Sequence, residues 1–465
     1  MNADRNSGLE MICKLNKFLP EKLKRETVFA RIIFILFACC MTSQLCAEPQ
    51  QISTSLINTE TRLLQLLAEI AITRNPQLRQ AEAIWHASQF DTDDVRGARW
   101  PRLDVEGTSK AKQFGPNYHY VYGNGVQERV GVTLTYTLFD GGKVGTQISS
   151  KLHQEQVEWD KYLQTREQTI FDTTKAYLEI LKYRKLVDIN QQNEVRLAGL
   201  VNKMDEIVQA MVGRRSELTQ SLSRLLQAKE NRADAEAKLH EYEVQLLKLI
   251  GAENMSKTVD GKKPNIEPIT IEVALAAAKK SHPELLAATE EQLAMKYSAS
   301  AIRKGNYWPV VEVQASKMSG TDIYGYTDSG LLFATIKWNA FQGFSGTAEE
   351  RAALARADAA QDKYDQSLVD IEYKLNSVWR DYQNQHDRIE SLRILSVNTE
   401  QVRNDYYTQW ETLGKRSLLE VLTAESEHVS TMTSLVTSEF DEQLALARLR
   451  FESGTLAAWL LDDAK

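Results

Sequence analysis

Val130-Gly131-Val132-Thr133-Leu134-Thr135-Tyr136-Thr137-Leu138-Phe139-Asp140-Gly141-Gly142 changes its periodicity partway along. Val130, Val132, Leu134, Tyr136 and Leu138 alternate with Gly131, Thr133, Thr135 and Thr137, which predicts a strand with one apolar and one small polar face. Asp140-Gly141-Gly142 ends that pattern. From Gly142 to Val212 there is no proline, and the only further glycines before Val212 are Gly145 and Gly199. Such a stretch predicts a helix of roughly 70 residues, on the order of 100 Å long, far beyond an ordinary globular helix.

Working outward, the same succession occurs a second time. Asn75-Pro76-Gln77-Leu78 and Trp100-Pro101 precede the first strands; His282-Pro283-Glu284-Leu285 and Trp308-Pro309 precede a second set. Leu138-Phe139-Asp140-Gly141-Gly142 is answered by Ala340-Phe341-Gln342-Gly343-Phe344, and Val212-Gly213-Arg214-Arg215-Ser216 by Leu413-Gly414-Lys415-Arg416-Ser417. The spacing is 207 residues between Pro76 and Pro283 and 201 between Gly213 and Gly414, the difference falling where the first copy has the longer loop. A unit this long, written twice, indicates duplication and not a short-period solenoid.

The second copy adds detail. Leu332, Ala334, Ile336 and Trp338 alternate with Thr335, Lys337 and Asn339, and Val311, Val313 and Ala315 with Glu312, Gln314 and Ser316. Inward Lys and Glu fit a wet lumen, although a half-exposed sheet on a soluble domain alternates too. The intervening stretches carry Tyr118, Tyr120, Tyr122, Tyr324 and Tyr326, suited to exposed loops with interfacial aromatics. Between Gly346 and Leu413, Tyr364, Leu368, Ile371, Leu375, Val378, Tyr382, Ile389 and Leu392 follow steps of four and three, interrupted only at Gln385. That seam requires partner helices. Return segments after each Gly-basic-Arg-Ser turn, with the helix before each Trp-Pro, supply lengths that flank one long helix with two shorter ones.

The predicted organisation is therefore a signal peptide over 1–47; a first repeat over 48–255 with a β-hairpin at about 102–138 and a helical turn at 213; a linker over 256–269; and a second repeat over 270–465 with a β-hairpin at about 310–339 and a turn at 414. The leader combines Lys14, Lys17, Lys22, Lys24 and Arg25 with a run from Val28 to Met41 that is apolar apart from Arg31. Cleavage after Ala47 and acylation at Cys39 both remain open, as does Met11 as the start.

All four cysteines, Cys13, Cys39, Cys40 and Cys46, lie in the leader, so a chain cut after Ala47 has no thiol chemistry and no cysteine-held metal. Seven of the 56 Lys+Arg and four of the 63 Asp+Glu also lie there, giving that chain a net charge of −10. This balance gives no support for a nucleic-acid partner, and none is expected. Past the leader no apolar run approaches the roughly 18 residues of a spanning helix, so a membrane crossing has to be made of strands. Four strands are too few to close a barrel, and open edges cannot face lipid; three copies supply twelve strands and twelve helical columns. The histidines (His86, His119, His153, His240, His282, His386, His428) show no metal-site spacing. Gly141-Gly142-Lys143-Val144-Gly145-Thr146 lacks the phosphate-loop spacing and reads as a turn. No enzyme, metal or cofactor is expected.

These landmarks resemble the TolC-like outer-membrane channel proteins (outer membrane efflux proteins) over nearly the whole chain after the leader. The most specific stretch is Leu413-Gly414-Lys415-Arg416-Ser417-Leu418-Leu419-Glu420-Val421-Leu422-Thr423-Ala424-Glu425. The resemblance implies a mainly α fold with a small antiparallel β part. In that fold a homotrimeric, twelve-stranded outer-membrane barrel continues into a long periplasmic α-helical barrel. The trimer sits in outer-membrane lipid and works with a periplasmic adaptor (membrane fusion protein) and an inner-membrane pump. It also implies a periplasmic gate with Glu420 as an acidic ring, Arg416 as a basic link and Thr423 where a second acid is usual. The adaptor-contact tips are Val212, Gly213, Arg214, Arg215, Leu413, Gly414 and Lys415. Without the resemblance Glu420 reads as a solvated helix acid, and the glycines as residues that permit turns with solvated cations around them.

The second turn looks more like the protein-secretion branch. The expected function is thus a passive channel-tunnel of a type I secretion system, exporting an unfolded protein, with a large adhesin as a plausible cargo, from an ATP-driven ABC exporter. The alternatives are the outlet of a multidrug or metal efflux pump driven by protons, and a non-conducting periplasmic coiled-coil scaffold.

Overall fold

The computed structural model describes residues 59–109, 129–210, 212–254, 263–320 and 329–461, which belong to one compact unit. The leader, the linker's Met255 to Lys262 and the tyrosines of both strand-connecting loops lie outside the described residues. The first repeat contains α1 (Thr59–Arg74), α2 (Pro76–Gly97), β1 (Arg102–Thr108), β2 (Arg129–Phe139), α3 (Lys143–Ala210), a 3-10 turn (Val212–Arg214) and α4 (Arg215–Ile250). The second contains α5 (Ile271–Ser281), α6 (Pro283–Tyr307), β3 (Val310–Gly320), β4 (Ser329–Lys337), α7 (Ser345–Glu411), α8 (Leu418–Glu452) and α9 (Leu456–Leu461). The chain is mainly helical, with one small antiparallel sheet.

The sequence leads to one helix before each Trp-Pro; the structure has two. The break is local chemistry repeated in both halves. Asn75 Oδ1 accepts from the Gln77 amide at 2.9 Å, His282 Nδ1 accepts from the Glu284 amide at 3.2 Å, and in each case the next residue is a proline at the start of the new helix. Proline ends the preceding helix because it has no N–H to donate, and it fits the first turn of the next. The side-chain acceptor satisfies an amide that would otherwise have no partner.

All four strands form a sheet in the order β1-β2-β3-β4, antiparallel throughout. The register pairs Leu103 with Leu134 and Val105 with Val132, then Tyr136 with Val313, Val313 with Ala334 and Val311 with Ile336. These residues share one face. The opposite face carries Asp104, Thr133, Thr135, Thr137, Glu312, Gln314 and Lys337, with Lys337 Nζ 2.7 Å from Glu312 Oε2. The apolar face is uncovered: Leu103 is 62% exposed and Ile336 71%. The outer edges of β1 and β4 have no pairing strand among the described residues.

The long helices span 68 residues in α3 and 67 in α7. At the sheet end α3 packs on α2 and α6; toward its other end it packs on α4 and α8. Helix α7 packs likewise on α5 and α6, then on α8. The heptad seam of α7 is what closes these contacts: Ile371, Leu375 and Val378 are buried with Ala274 and Ala278 of α5, Leu285 of α6 and Leu449 of α8. The largest core lies mid-length, where Tyr177, Ile180 and Leu178 of α3 meet α1, α4, α8 and α9. Gly454, at φ +67°, follows α8 so closely against His282 and Pro283 that a Cβ there would lie 2.9 Å from the His282 Cα.

Candidate functional site

The ends of the two helical hairpins form the site. Leu197, Leu200 and Met204 of α3, Ala228 of α4, Trp410 of α7 and Leu418, Val421 and Leu422 of α8 share one apolar cluster, so the two hairpin ends lie side by side. The turns differ. The first is a tight 3-10 turn without a side-chain cap, whereas in the second Gly414 takes φ +58° and Lys415 N–H donates back to the Gln409 carbonyl at 3.1 Å. Positive φ is the conformation glycine adopts without strain.

Arg416 and Glu420 lie together. Arg416 Nη1 donates to Glu420 Oε1 at 2.7 Å, its Nε donates to Gln409 Oε1 at 3.1 Å, and its guanidinium sits 4.2 Å from the Tyr406 ring centroid. It thus ties the end of α7 to the start of α8. Glu420 Oε2 also accepts from the Ser417 amide at 2.8 Å and from Ser417 Oγ at 3.0 Å, while Ser417 Oγ accepts from the Glu420 amide at 3.3 Å. This is a reciprocal capping box. Glu420 is therefore not a freely solvated acid: its carboxylate caps the start of helix α8. The Ser417 amide and then Arg416 hold its pKa below the ordinary value. Thr423, one turn on, is exposed and donates its hydroxyl to the Leu419 carbonyl at 2.8 Å.

The tip cations divide into two kinds. Arg214 makes a two-point pair with Glu217, Nε to Oε1 at 3.0 Å and Nη2 to Oε2 at 2.7 Å. Arg215 and Lys415 are exposed and have no ion-pair partner among the described residues. Gly213, Leu413 and Gly414 are exposed as well, and the Val212 side chain lies outside the described residues.

Sequence reading missed the polar links between the two hairpins. Glu425 of α8, 6% exposed, accepts from Arg196 Nε of α3 at 2.5 Å and lies 3.9 Å from Arg403 Nε of α7. About two helical turns nearer the tip, Lys203 of α3 donates to Tyr407 Oη at 2.7 Å and to Glu411 of α7. These bonds to Glu411 and Tyr407 raise the Lys203 pKa. A cavity of about 320 Å³ separates the links and is lined by Gly199, Leu200, Asn404 and Val421 among others. Glu425 closes the most specific stretch of the sequence, yet its partner is 229 residues away, and no local spacing signals that pairing. Among the described residues no group of three or more His, Cys, Asp and Glu converges as a metal site.

Three comparisons bear on this arrangement. A family model described as outer membrane efflux protein matches residues 67–252. The outer membrane efflux protein BepC of Brucella suis biovar 1 (strain 1330) is 20% identical over 334 residues, 71% of this chain and 72% of the relative. Among solved structures, the CmeC outer membrane channel of Campylobacter jejuni superposes with a TM-score of 0.74 at 14% identity, covering 85% of this chain and 86% of that one. The open state of the MtrE outer membrane channel of Neisseria gonorrhoeae gives 0.69 at 16% identity, covering 84% and 88%.

Proposed function

Since this chain belongs to the outer membrane efflux protein family of TolC-like channels, we propose that it is the passive outer-membrane outlet of a periplasm-spanning export machine. The observation that carries this is the sheet. An open-edged set of four strands presents an uncovered apolar face, and the other face is mixed, carrying Thr133, Thr135, Glu312, Gln314 and Lys337 together with Leu331 and Phe333. Backbone groups at such edges need partners before they can enter lipid. Three copies, β4 of one beside β1 of the next, would close a twelve-stranded barrel with the apolar face toward lipid and Glu312 and Lys337 toward water. Trp100, Trp308, Trp338, Phe341 and Phe344, all exposed, lie at the strand-to-helix end of the sheet, where interfacial aromatics belong. Among the described residues no helix is long and apolar enough to cross a membrane; in this reading the strands do the crossing and the helices extend into the periplasm.

Energy comes from a partner, through a periplasmic adaptor. Arg215 and Lys415 are the tip cations free to meet an acidic adaptor surface, because Arg214 and Arg416 are already paired. Opening separates the hairpin ends, and the links that resist it are Arg196 with Glu425 and Lys203 with Glu411. Cargo divides two readings. The second turn, Leu413 to Glu425, favours an unfolded polypeptide delivered by an ATP-driven exporter, whereas the relative's name, outer membrane efflux protein, favours the outlet of an efflux pump. Comparing the proteins released or displayed by wild-type cells and a strain lacking the gene separates them. Loss of one large secreted protein supports secretion; an unchanged profile with increased sensitivity to toxic compounds supports efflux. A defined single-channel current excludes the scaffold reading, and its absence from a purified trimer overturns the channel.

A further inference from the structure

At the junction of α2 and the sheet, Arg96, Arg99, Trp100, Pro101 and Tyr136 line a cavity of about 630 Å³. Tyr136 belongs to the apolar row of β2, so the cavity opens at the foot of the face assigned to lipid. Trp100 is 76% exposed beside it. Arg96 gives Nη1 to Asp93 at 2.8 Å; the Arg99 side chain is exposed and has no hydrogen-bond or ion-pair partner among the described residues. Asp93 is thus the one carboxylate paired with these two guanidiniums. Asp140, at the neighbouring strand end, is turned onto its own helix and accepts from the Gly142 and Val144 amides at 2.8 and 2.7 Å.

The duplication supplies a comparison within the same chain. Counted from Trp308-Pro309, Lys304 and Tyr307 take the places of Arg96 and Arg99, Trp338 takes that of Tyr136, and Arg303 lies next to Lys304. There the arrangement is closed internally: Arg303 Nε lies 3.6 Å from Glu350, and Trp338 Nε1 donates to the Tyr307 carbonyl at 3.3 Å. Lys304 Nζ donates to Thr146 Oγ1 at 2.6 Å, so of these matched positions Arg99 alone is a cation with no polar partner among the described residues.

We propose that the Arg96–Arg99–Trp100–Tyr136 cradle holds the phosphate headgroup of an anionic phospholipid in the periplasmic leaflet, one per protomer. The inference rests on the outer-membrane reading above, which places the helical end of the sheet at that leaflet. Guanidinium groups match phosphate oxygens in two-point geometry, and indole and phenol rings settle at headgroup depth. The acyl chains would run up the exposed row of Leu134, Val132 and Val105. A soluble phosphate uses the cations but not that row. Two guanidiniums against one carboxylate favour a headgroup of net negative charge over a zwitterionic one.

The test is native mass spectrometry of the detergent-solubilised trimer titrated with phosphatidylglycerol, phosphatidylethanolamine or inorganic phosphate. The wild-type trimer is expected to retain up to three phosphatidylglycerol molecules in preference to phosphatidylethanolamine. Arg96→Gln with Arg99→Gln is expected to weaken that retention about tenfold or more, and Arg303→Gln to leave it unchanged. Equal retention by the double variant overturns the proposal. So does displacement by inorganic phosphate, which marks a soluble-anion site, or loss of the trimer in the double variant, which marks a neighbouring copy as the occupant. A chain that does not fractionate with the outer membrane overturns the channel reading and this one with it; a membrane trimer with unselective lipid retention overturns this one alone.

Discussion

His282 fills the place that Asn75 fills in the first repeat, and the exchange makes one helix start titratable. Its Nδ1 has to be an acceptor, so the ring has to be neutral. Burial, with Lys374 nearby, lowers its pKa to about 4 from 6.5. The folded state therefore binds fewer protons than the unfolded chain between those values. Stability from this group is fully present above pH 6.5 and falls by about 3 kcal/mol as pH drops to 4. His282→Asn, which keeps the cap, should flatten that decline in thermal melts from pH 7 to 4; an unchanged slope would remove His282 as its source. Asp160 works in the opposite sense. It is 2% exposed, its Oδ2 has no hydrogen-bond partner, and burial, helped by repulsion from Glu290 against the Gln156 bond, raises its pKa to about 6. The folded state prefers the protonated form, so the penalty grows as pH rises from 3.8 through 6. Asp160→Asn should raise the melting temperature at pH 7.5, by the equivalent of roughly 1–3 kcal/mol, and leave it unchanged at pH 4.

At the scale of elements, the seam of α7 is where sequence and structure meet most closely. Ile371, Leu375 and Val378 are buried while Val369 and Tyr373, off that stripe, are exposed, so steps of four and three mark the packed face. Leu375→Ala removes a fully buried side chain shared by α5, α6 and α8 and should cost about 2–5 kcal/mol, read by denaturant unfolding. A cost near zero would mean the seam is not closed in solution. The strands were legible through alternation and the long helices through missing proline and glycine. The breaks at Asn75 and His282 were not drawn from the same landmarks, because an Asn/His-Pro pair announces a cap only once the flanking segments are known to be helical. The links at Glu425 and Lys203 were invisible because they join helices from different repeats, and charge spacing along one helix carries no information about its neighbour.

For the whole molecule, Glu420 has two duties that a single substitution confuses. Glu420→Ala removes a charge and also the capping box, whereas Glu420→Gln removes the charge and keeps an acceptor for Ser417. If the carboxylate sets cation selectivity, both variants shift the reversal potential alike; a shift with Ala alone would assign the effect to helix fraying. Arg196→Gln leaves the buried Glu425 charge with Arg403 at 3.9 Å as its nearest cation. Breaking such a pair is costly, and the closed arrangement should bear that cost, so resting conductance in planar bilayers should rise severalfold. An unchanged current would place the closing contact elsewhere.

The turn after α8 also sets the order in which the chain can be completed. Gly454 is seated against the His282–Pro283 break, and the Ala457 amide donates to both carboxylate oxygens of Glu167, deep in the first repeat, at 3.2 Å. The mid-length core likewise includes Leu456 and Leu460 alongside α1 and α3. A nascent chain lacking its last dozen or so residues thus has an unfinished centre in both halves. A chain truncated before Gly454 is therefore expected to lose its cooperative unfolding transition and to form no trimer, which size-exclusion chromatography of the shortened protein would read.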